Sequence, residues 1–335
     1  LQNQGKEIIL VSSGAVGAGM GRLGVTKKPT SIPEKQAIAA VGQGYLMQIY
    51  EKLFAEYGHT VAQILLTRED LRIRKRYLNS RNTMLSLLKY GVIPIINEND
   101  TVSVEEIEFG DNDTLSALVA SLSEAELLII LSTINGLYTK DPNTAKDARF
   151  ISYIPKLTKE ILSSATNTTE SLGTGGMITK LQAADIAVDS GVNVIIANGK
   201  QENILYSVLA GEDIGTLIAA KEIGLPLRKR WLAYGPVSQG LIVIDKGAKQ
   251  AVVKDGKSLL PSGIISVQGC FSRGEMVKIE DVDNNFIGRG LTNYSSRELE
   301  KIKGLRSNDV KNVLKGPAET EVVHRDKLVV NSKLL

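Results

Sequence analysis

Three glycines and a lysine in the middle of this 335-residue chain have types and a spacing that suggest chemistry. Gly173, Gly175 and Gly176 come just before an apolar run of helical period, and Lys180 follows one turn into that helix. Backbone N–H groups and the helix dipole at a helix N-terminus favour an anion, and the lysine adds positive charge. The spacing fits neither the Walker loop nor the dinucleotide fingerprint. The segment is therefore interpreted either as a phosphate site or as a plain connection.

Polar or small residues also follow three predicted strands, at the sheet edge where ligands bind in α/β proteins. After the first strand these residues are Ser12, Ser13, Gly14, Gly17 and Gly19. After the second they are Asn97, Asn99, Asp100, Asp111, Asn112 and Asp113. A cap on the helix that begins near Thr114 explains Asp111 or Asn112, but it does not explain six such residues. Ser132 and Thr133 follow a third strand, where an ordinary connection is the alternative.

The elements that must position these residues alternate along the chain. Strand-like and helical runs take turns through the first two thirds of the sequence, which predicts an α/β domain: a three-layer sandwich with a mostly parallel central sheet. The serine–glycine segment is predicted as a turn. Short β-type runs with glycine turns then predict a small barrel-like domain, with one helix that begins at a serine in "SSRELEKIKG". The predicted boundaries are 1–227 for the α/β domain, 228–237 for a linker, 238–320 for the second domain and 321–335 for a tail.

Composition excludes several functional classes. Hydrophobic residues make up 43% of the chain, enough for two cores, and no apolar stretch reaches the length of a membrane span, so a soluble protein without a membrane partner is predicted. The single cysteine, Cys270, fits a reducing compartment, and a cytoplasmic location is expected. The two histidines, His59 and His324, argue against a histidine-based zinc site, and no metal-ligating residues are predicted. A net charge of +3 argues weakly against a dedicated nucleic-acid binder.

The remaining chemistry is the binding of amino, carboxylate and phosphate groups, with a lysine that neutralises charge. No cysteine or histidine pair suggests nucleophilic catalysis. Phosphoryl transfer suits such a set, because it depends on positioning and electrostatics more than on a protein nucleophile.

Six segments, in order, resemble the amino acid kinase family. They are "VSSGAVGAGM", "LLTREDL", "PIINENDTV", "FGDNDTLSALVA", "GLYTKDP" and "GTGGMITKLQAADIA". The later segment "GLIVIDKGAKQAVVKDGKSLLPSGI" resembles a PUA module. The resemblance implies the amino acid kinase fold and the ATP-dependent phosphorylation of the γ-carboxylate of L-glutamate, which gives L-glutamyl 5-phosphate in the first step of proline biosynthesis. It also implies ATP and Mg²⁺ as cofactors.

The resemblance further implies roles for individual residues. Glutamate is contacted by Ser13, Gly14, Asp100 and Asn112. Lys180 stabilises the transferring phosphoryl group, and Asp113 orients the active-site lysines. The implied ATP-binding residues are Ser132, Thr133, Thr174, Gly175, Gly176, Met177, Ile178, Thr179 and Lys180. Thr133 stands where many relatives have aspartate.

The same resemblance implies an inhibitor and an oligomeric state. It implies feedback inhibition by proline at a site that overlaps the glutamate pocket, and a homo-oligomer, either a dimer or a tetramer. The family begins with a strand and a "KxGS"-like turn that nothing here matches, so an N-terminally incomplete chain is expected.

One alternative is a kinase of the same fold that acts on aspartate, acetylglutamate, carbamate or a nucleotide. Another is an RNA-binding protein, because PUA modules often bind RNA, although the near-neutral charge and the 5% aromatic content disfavour it.

Overall fold

A computed structural model describes residues 1–102, 112–140, 142, 144–164, 176–222, 224–314 and 319–331. Contacts divide the chain into two compact units, Leu1–Leu225 and Pro226–Leu335. Across these described ranges, every helix falls short of the combined length and hydrophobicity that a membrane-spanning segment needs.

The first unit contains eight α-helices, one short 3-10 helix (Gln2–Gln4) and nine strands within its described residues. Its helices are α1 (Ala15–Leu23), α2 (Ile32–Ala55), α3 (Arg68–Arg72), α4 (Arg74–Lys89), α5 (Asn112–Ser123), α6 (Lys159–Ser164), α7 (Met177–Asp189) and α8 (Ile204–Leu209). Its strands are β1 (Leu10–Val11), β2 (Val61–Leu66), β3 (Ile93–Glu98), β4 (Leu127–Ser132), β5 (Leu137–Tyr138), β6 (Phe150–Ile151), β7 (Tyr153–Ile154), β8 (Asn193–Asn198) and β9 (Thr216–Ile218).

The strands of the first unit pair mostly in parallel. One sheet has the order β1–β3–β2, with both pairs parallel. A second has the order β4–β8–β9–β7, in which only the β8–β9 pair is antiparallel. Strands β5 and β6 form a separate antiparallel ribbon. The predicted α/β class is confirmed. However, hydrogen bonding in the described residues divides the main strands between two sheets, where the sequence predicts one central sheet.

Helix α5 packs against both of the larger sheets. It contacts β1 and β3 of the first sheet and β4 of the second, and its other main neighbour is α7. Buried alanines on both helices, among them Ala117 and Ala184, leave room for the two backbones to approach. Near the C-terminal ends of the helices, Ser121 Oγ donates a hydrogen bond to Ser190 Oγ at 2.8 Å, which satisfies two buried hydroxyls. Helices α5 and α7 are therefore held side by side along their length.

Helix α1 occupies the serine–glycine segment that the sequence predicts as a turn. Gly14 precedes it in the left-handed conformation, with φ of 92°. Glycine lowers helix propensity, but here its missing side chain allows α1 and α2 to touch. A Cβ on Gly19 would lie 2.0 Å from the Ile38 carbonyl oxygen, and one on Gly42 would lie 1.8 Å from the Ala15 carbonyl oxygen. Tertiary packing therefore outweighs local propensity in this segment.

The α1–α2 contact yields a test by substitution. Gly42→Ala is expected to lower the free energy of unfolding of the first unit by about 1–3 kcal/mol, because the new methyl group collides with backbone that cannot move aside. Gly44→Ala, in the same helix with open space around it, is the matched control and should be neutral or raise stability by up to about 1 kcal/mol. Urea denaturation followed by circular dichroism measures both. Equal effects of the two changes would contradict the packing argument.

The second unit is built on a five-stranded sheet. Its strands are β10 (Gly240–Ile244), β11 (Ile264–Gly269), β12 (Met276–Asp281), β13 (Phe286–Leu291) and β14 (Leu328–Val330), and its helices are α9 (Leu227–Tyr234), α10 (Lys246–Val253), α11 (Ser296–Ile302) and α12 (Ser307–Leu314). The sheet order is β11–β10–β12–β13–β14. The β10–β12 pair is parallel and the others are antiparallel. Its core includes the fully buried Ile242, Ile279 and Tyr294.

Three segments of the second unit differ from the sequence prediction. Helix α9 lies where a linker is predicted at 228–237, because Trp231 and Leu232 are buried and the Arg289 guanidinium donates to the carbonyl oxygens of Ala233 and Pro236. Strand β14 lies within the predicted tail, 321–335, and pairs with β13. Helices α10 and α12 add to the one helix predicted, and the α10 N-terminus is capped by Asp245, whose Oδ1 accepts from the Ala248 N–H at 2.7 Å.

The helix predicted to begin at a serine is α11, and a capping box fixes its N-terminus. Ser295 and Glu298 exchange side-chain to backbone hydrogen bonds. Arg273 Nε donates to Glu298 Oε2 at 3.0 Å. Hydrogen bonding from the Arg273 guanidinium, reinforced by the Ser295 N–H, lowers the pKa of the Glu298 carboxyl from its ordinary 4.5 to about 2.

The lowered pKa makes the stability of the second unit depend on acidity. The contribution of Glu298 is fully present above about pH 4.5, where the carboxyl is ionised in both folded and unfolded chains, and it is lost as the pH falls towards 2. Glu298→Gln should therefore cost about 1 kcal/mol at pH 7, since the pair is partly exposed, and nothing near pH 2. Glu300→Gln, which removes the same charge from an exposed pair with Lys303, is the control and should cost less at every pH. Denaturation of the protein and both variants between pH 2 and 7 measures this. A constant deficit for Glu298→Gln would contradict it.

Candidate active site

The N-terminal ends of α5 and α7 meet in an ion pair. Lys180 Nζ lies 3.2 Å from Asp113 Oδ2. The Thr179 hydroxyl lies 3.3 Å from the same carboxylate oxygen and 2.8 Å from the Gly176 carbonyl oxygen, which is the closer acceptor. Only 7% of Lys180 is exposed, and a lysine this buried normally has an acidic partner. The arrangement holds an ammonium group at a fixed place beside the start of a helix.

The glycine-rich segment of the sequence analysis leads into α7 as predicted. Gly176 is the residue before the helix and has an extended backbone. The Thr179 N–H donates to the Gly176 carbonyl oxygen at 3.2 Å, whereas helix geometry provides no carbonyl one turn earlier for the N–H groups of Met177 and Ile178. Met177 is buried, while Ile178 and Thr179 are half-buried. Thr174 and Gly175 lie outside the described residues, as does Gly173.

The residue next to Asp113 contacts a different group. Asn112 Nδ2 donates to the Ser12 carbonyl oxygen at 2.5 Å and to Asn97 Oδ1 at 2.8 Å. Ser12 follows β1, and Asn97 lies near the end of β3. The first two residues of α5 thus extend to two places: Asn112 to the ends of parallel strands, and Asp113 to the lysine of α7.

The two serines after β1 have different environments. Ser12 is buried, and its hydroxyl lies 2.9 Å from the Tyr50 hydroxyl. Ser13 is exposed, and Gly14 precedes α1 in the left-handed conformation. Ser13 is therefore the serine that a ligand can reach, beside the free N–H groups of a second helix N-terminus. Ser12 is a structural neighbour that anchors the turn.

The acidic residue after β3 lies beside the same strand ends. Asp100 is half-buried. The turn that carries it is held by the Asn99 N–H, which donates to the Leu66 carbonyl oxygen at 2.9 Å, and by the Thr101 hydroxyl, which donates to Asn99 Oδ1. Residues 103–111, including Asp111, lie outside the described part of the chain.

The third predicted polar pair lies at the end of β4 in the second sheet. Ser132 is the last residue of that strand and is half-buried, and Thr133 is exposed. The neighbouring strand β8 ends beside it: the Gly199 N–H donates to the Ser132 carbonyl oxygen at 2.9 Å, and Asn198 Nδ2 donates to Asn135 Oδ1 at 2.9 Å. The asparagine pair was missed from the sequence, although polar residues that follow two apolar strands could have indicated it.

Two further residues at this site were also missed. Gln43 lies on α2 and Gln63 on β2, and they join Asn97 through side-chain hydrogen bonds. In the sequence, the α2 segment is predicted only as one of the helical runs that alternate with strands. A glutamine next to a helix-packing glycine carries no motif that marks it, so only the folded structure shows this contact.

The sequence comparisons identify the class of protein. Residues 1–198 match the model of the amino acid kinase family, and residues 240–314 match that of the PUA domain. The chain belongs to the amino acid kinase family, which is a family of phosphotransferases. This match confirms the resemblance that the six ordered motifs indicate.

Individual relatives extend this finding. A glutamate 5-kinase from Caldanaerobacter subterraneus subsp. tengcongensis is 53% identical over 330 residues, 98% of this chain and 89% of that protein. A glutamate 5-kinase from Moorella thermoacetica is 51% identical over 98% of this chain and 87% of that protein. The solved structure of a UMP kinase from Bacillus anthracis matches at 15% identity, with a TM-score of 0.42, over 65% of this chain and 81% of that chain.

Proposed function

We propose that this chain catalyses the ATP-dependent phosphorylation of the γ-carboxylate of L-glutamate to L-glutamyl 5-phosphate, the first step of proline biosynthesis. The observation that carries the proposal is the start of α5. Asn112 there joins a polar group at the strand ends, and Asp113 holds the buried ammonium of Lys180. Relatives that are about half identical over nearly the whole chain, and that are named glutamate 5-kinase, support glutamate as the acceptor.

The α7 side of the site is assigned to the nucleotide. Lys180, kept in place by Asp113, would offset the negative charge that develops as the phosphoryl group moves, and the Met177 and Ile178 N–H groups at the start of α7 would bind phosphate oxygens. Residues 176–179 form this turn, and Thr174 and Gly175 belong to the same predicted loop. Ser132 and Thr133, at the end of β4, would line the remainder of the nucleotide site.

The β1–β3 side is assigned to glutamate. Ser13 and Gly14 offer a hydroxyl and backbone N–H groups for carboxylate oxygens, and Asp100 and Asn112 offer acceptors for an ammonium group. A carboxylate is already ionised at neutral pH, so the acceptor needs no general base. The task of these residues is to hold the γ-carboxylate in line with the phosphorus.

Magnesium enters the proposal only as part of the nucleotide substrate. The described residues contain no group of three or more acidic, histidine or cysteine side chains that could hold a metal ion. Magnesium on nucleotide phosphates usually needs only one or two protein carboxylates. We assign magnesium to the nucleotide phosphates and name no protein ligand for it.

Three further expectations belong to the proposal. L-proline should compete with glutamate, the assembly should be a homo-oligomer, and the enzyme should work in the cytoplasm. RNA binding by the PUA domain has no supporting observation and is not proposed. Competition by proline is measured as a rise in the KM for glutamate without a change in kcat.

A substrate panel tests the reaction. The purified protein is incubated with Mg·ATP and hydroxylamine, with L-glutamate, L-aspartate or N-acetylglutamate in parallel, and acyl phosphate is trapped as hydroxamate. We expect hydroxamate with L-glutamate alone. N-acetylglutamate lacks the free ammonium for which the acceptor site offers oxygens, and the side-chain carboxylate of L-aspartate is one methylene too short to reach the same position. Hydroxamate with another acid in place of glutamate would overturn the substrate assignment.

Two substitutions test the division of the site. Lys180→Met should lower kcat by roughly 10²–10³-fold, as expected when an electrostatic group at the transition state is lost, with little change in the KM for glutamate. Asn112→Ala should chiefly raise the KM for glutamate. Lys89→Met, an exposed lysine at the end of α4, is the control. A change confined to the KM for ATP in Asn112→Ala would reverse the two assignments.

A further inference from the structure

Four side-chain amides form a continuous hydrogen-bonded chain beneath the proposed glutamate site. Asn112 Nδ2 donates to Asn97 Oδ1 at 2.8 Å, Asn97 Nδ2 donates to Gln43 Oε1 at 2.8 Å, and Gln43 Nε2 donates to Gln63 Oε1 at 2.9 Å. These residues come from α5, β3, α2 and β2 in turn. We refer to them as the amide chain.

Backbone groups fix the direction of the amide chain. The Glu98 N–H can only donate, and it bonds Asn97 Oδ1 at 2.9 Å. The Ser12 carbonyl can only accept, and it bonds Asn112 Nδ2 at 2.5 Å. An amide has one accepting oxygen and one donating nitrogen, so these two contacts determine which end of Asn97 and of Asn112 faces which neighbour. The orientation of Gln43 follows from that of Asn97.

Burial makes this direction costly to reverse. Asn97 is 2% exposed and Gln43 is 8% exposed. A flipped amide here would place nitrogen against nitrogen or oxygen against oxygen, and buried polar groups that lose their partners are strongly unfavourable. Gln63 lies at the exposed end of the amide chain, where its oxygen accepts the last hydrogen bond.

The fixed direction determines what Asn112 can offer to a ligand. Both Nδ2 hydrogens are used, one by the Ser12 carbonyl and one by Asn97. In any hydrogen bond between this side chain and a ligand, the ligand must therefore be the donor and Oδ1 the acceptor. An accepting oxygen pairs with an ammonium group and is repelled by a carboxylate.

We propose that Gln43 and Gln63 are positioning residues: through Asn97 they orient the Asn112 amide so that its oxygen receives the α-ammonium of the substrate. The amide chain thereby selects a free α-amino acid over a dicarboxylic acid that lacks the amino group. This inference rests on the proposed function, because it deepens the assignment of Asn112 to the acceptor site. Rejection of an analogue that leaves a buried polar group unpaired is a recognised source of specificity.

Gln43→Leu tests the amide chain directly. The KM for L-glutamate should rise about tenfold, whereas kcat and the KM for ATP should change less than about twofold. The preference for L-glutamate over glutarate, which lacks the α-amino group, should fall by a similar factor. Gln48→Leu, an exposed glutamine on the same helix, is the control. A uniform loss of activity with unchanged preference would indicate a merely structural role and overturn the proposal.

A pair of changes at Gln63 tests the direction of the amide chain and does not require a change in the core. Gln63→Glu keeps an acceptor for the Gln43 Nε2 group, whereas Gln63→Lys offers only a donor and opposes it. The amide chain predicts a KM for glutamate that is several-fold higher in Gln63→Lys than in Gln63→Glu. Charge alone predicts the reverse order, because a lysine attracts an anionic substrate. The reverse order would contradict the proposal.

The experiments distinguish a failure of the positioning role from a failure of the proposed function. Hydroxamate formation from L-glutamate by the unchanged protein tests the reaction itself. If the unchanged protein turns over glutamate and neither Gln43→Leu nor the Gln63 pair alters the KM or the preference, the positioning role fails and the proposed function stands. If the unchanged protein phosphorylates only acids without an α-amino group, both fail.

Discussion

The ion pair between Lys180 and Asp113 is the contact on which the rest of the site depends. A buried ammonium needs its partner at hydrogen-bond distance, which requires the two helices to meet at their N-terminal ends. That registry is set by the small buried residues between α5 and α7 and by the Ser121–Ser190 hydrogen bond near the other end of the pair. Because α5 also packs on both sheets, a shift of this helix would move the lysine environment and the strand-end contacts together. The packing of one helix thus couples the two proposed substrate positions.

The α1–α2 contact has the corresponding role on the acceptor side. Gly19 and Gly42 allow the helix backbones to approach closely, and this brings one face of α2 towards the strand ends. Gln43 and Tyr50, seven residues apart and so on one face, reach Asn97 and Ser12 respectively. The glycines that weaken α1 as an isolated helix are therefore required for the polar contacts that hold the turn at Ser13 and Gly14.

Local patterns predicted those parts of the structure that short segments determine. Helix α7 after Gly176 and the serine cap of α11 were both confirmed, because their start signals lie within a few residues. Helix α1 was predicted as a turn, since its glycines become favourable only when α2 lies against them. Helix α9 was predicted as a linker, because the burial of Trp231 depends on strands distant in sequence. The Lys180–Asp113 contact joins residues 67 positions apart; the resemblance to a family suggested it, and no local pattern does.

The two halves of the site bind their proposed substrates through different kinds of interaction, and this affects the specificity that each half can provide. An ammonium group is a point charge that attracts an anion from any direction, so Lys180 suits a phosphoryl group whose charge is spread over three oxygens. An amide has a donor end and an acceptor end, so the ligand group that it can bind depends on its orientation. Neighbouring residues must fix that orientation. The acceptor side therefore needs a longer chain of supporting residues than the phosphate side. In the proposed positioning role, Gln43 and Gln63 supply that support through their hydrogen bonds to one another and to Asn97.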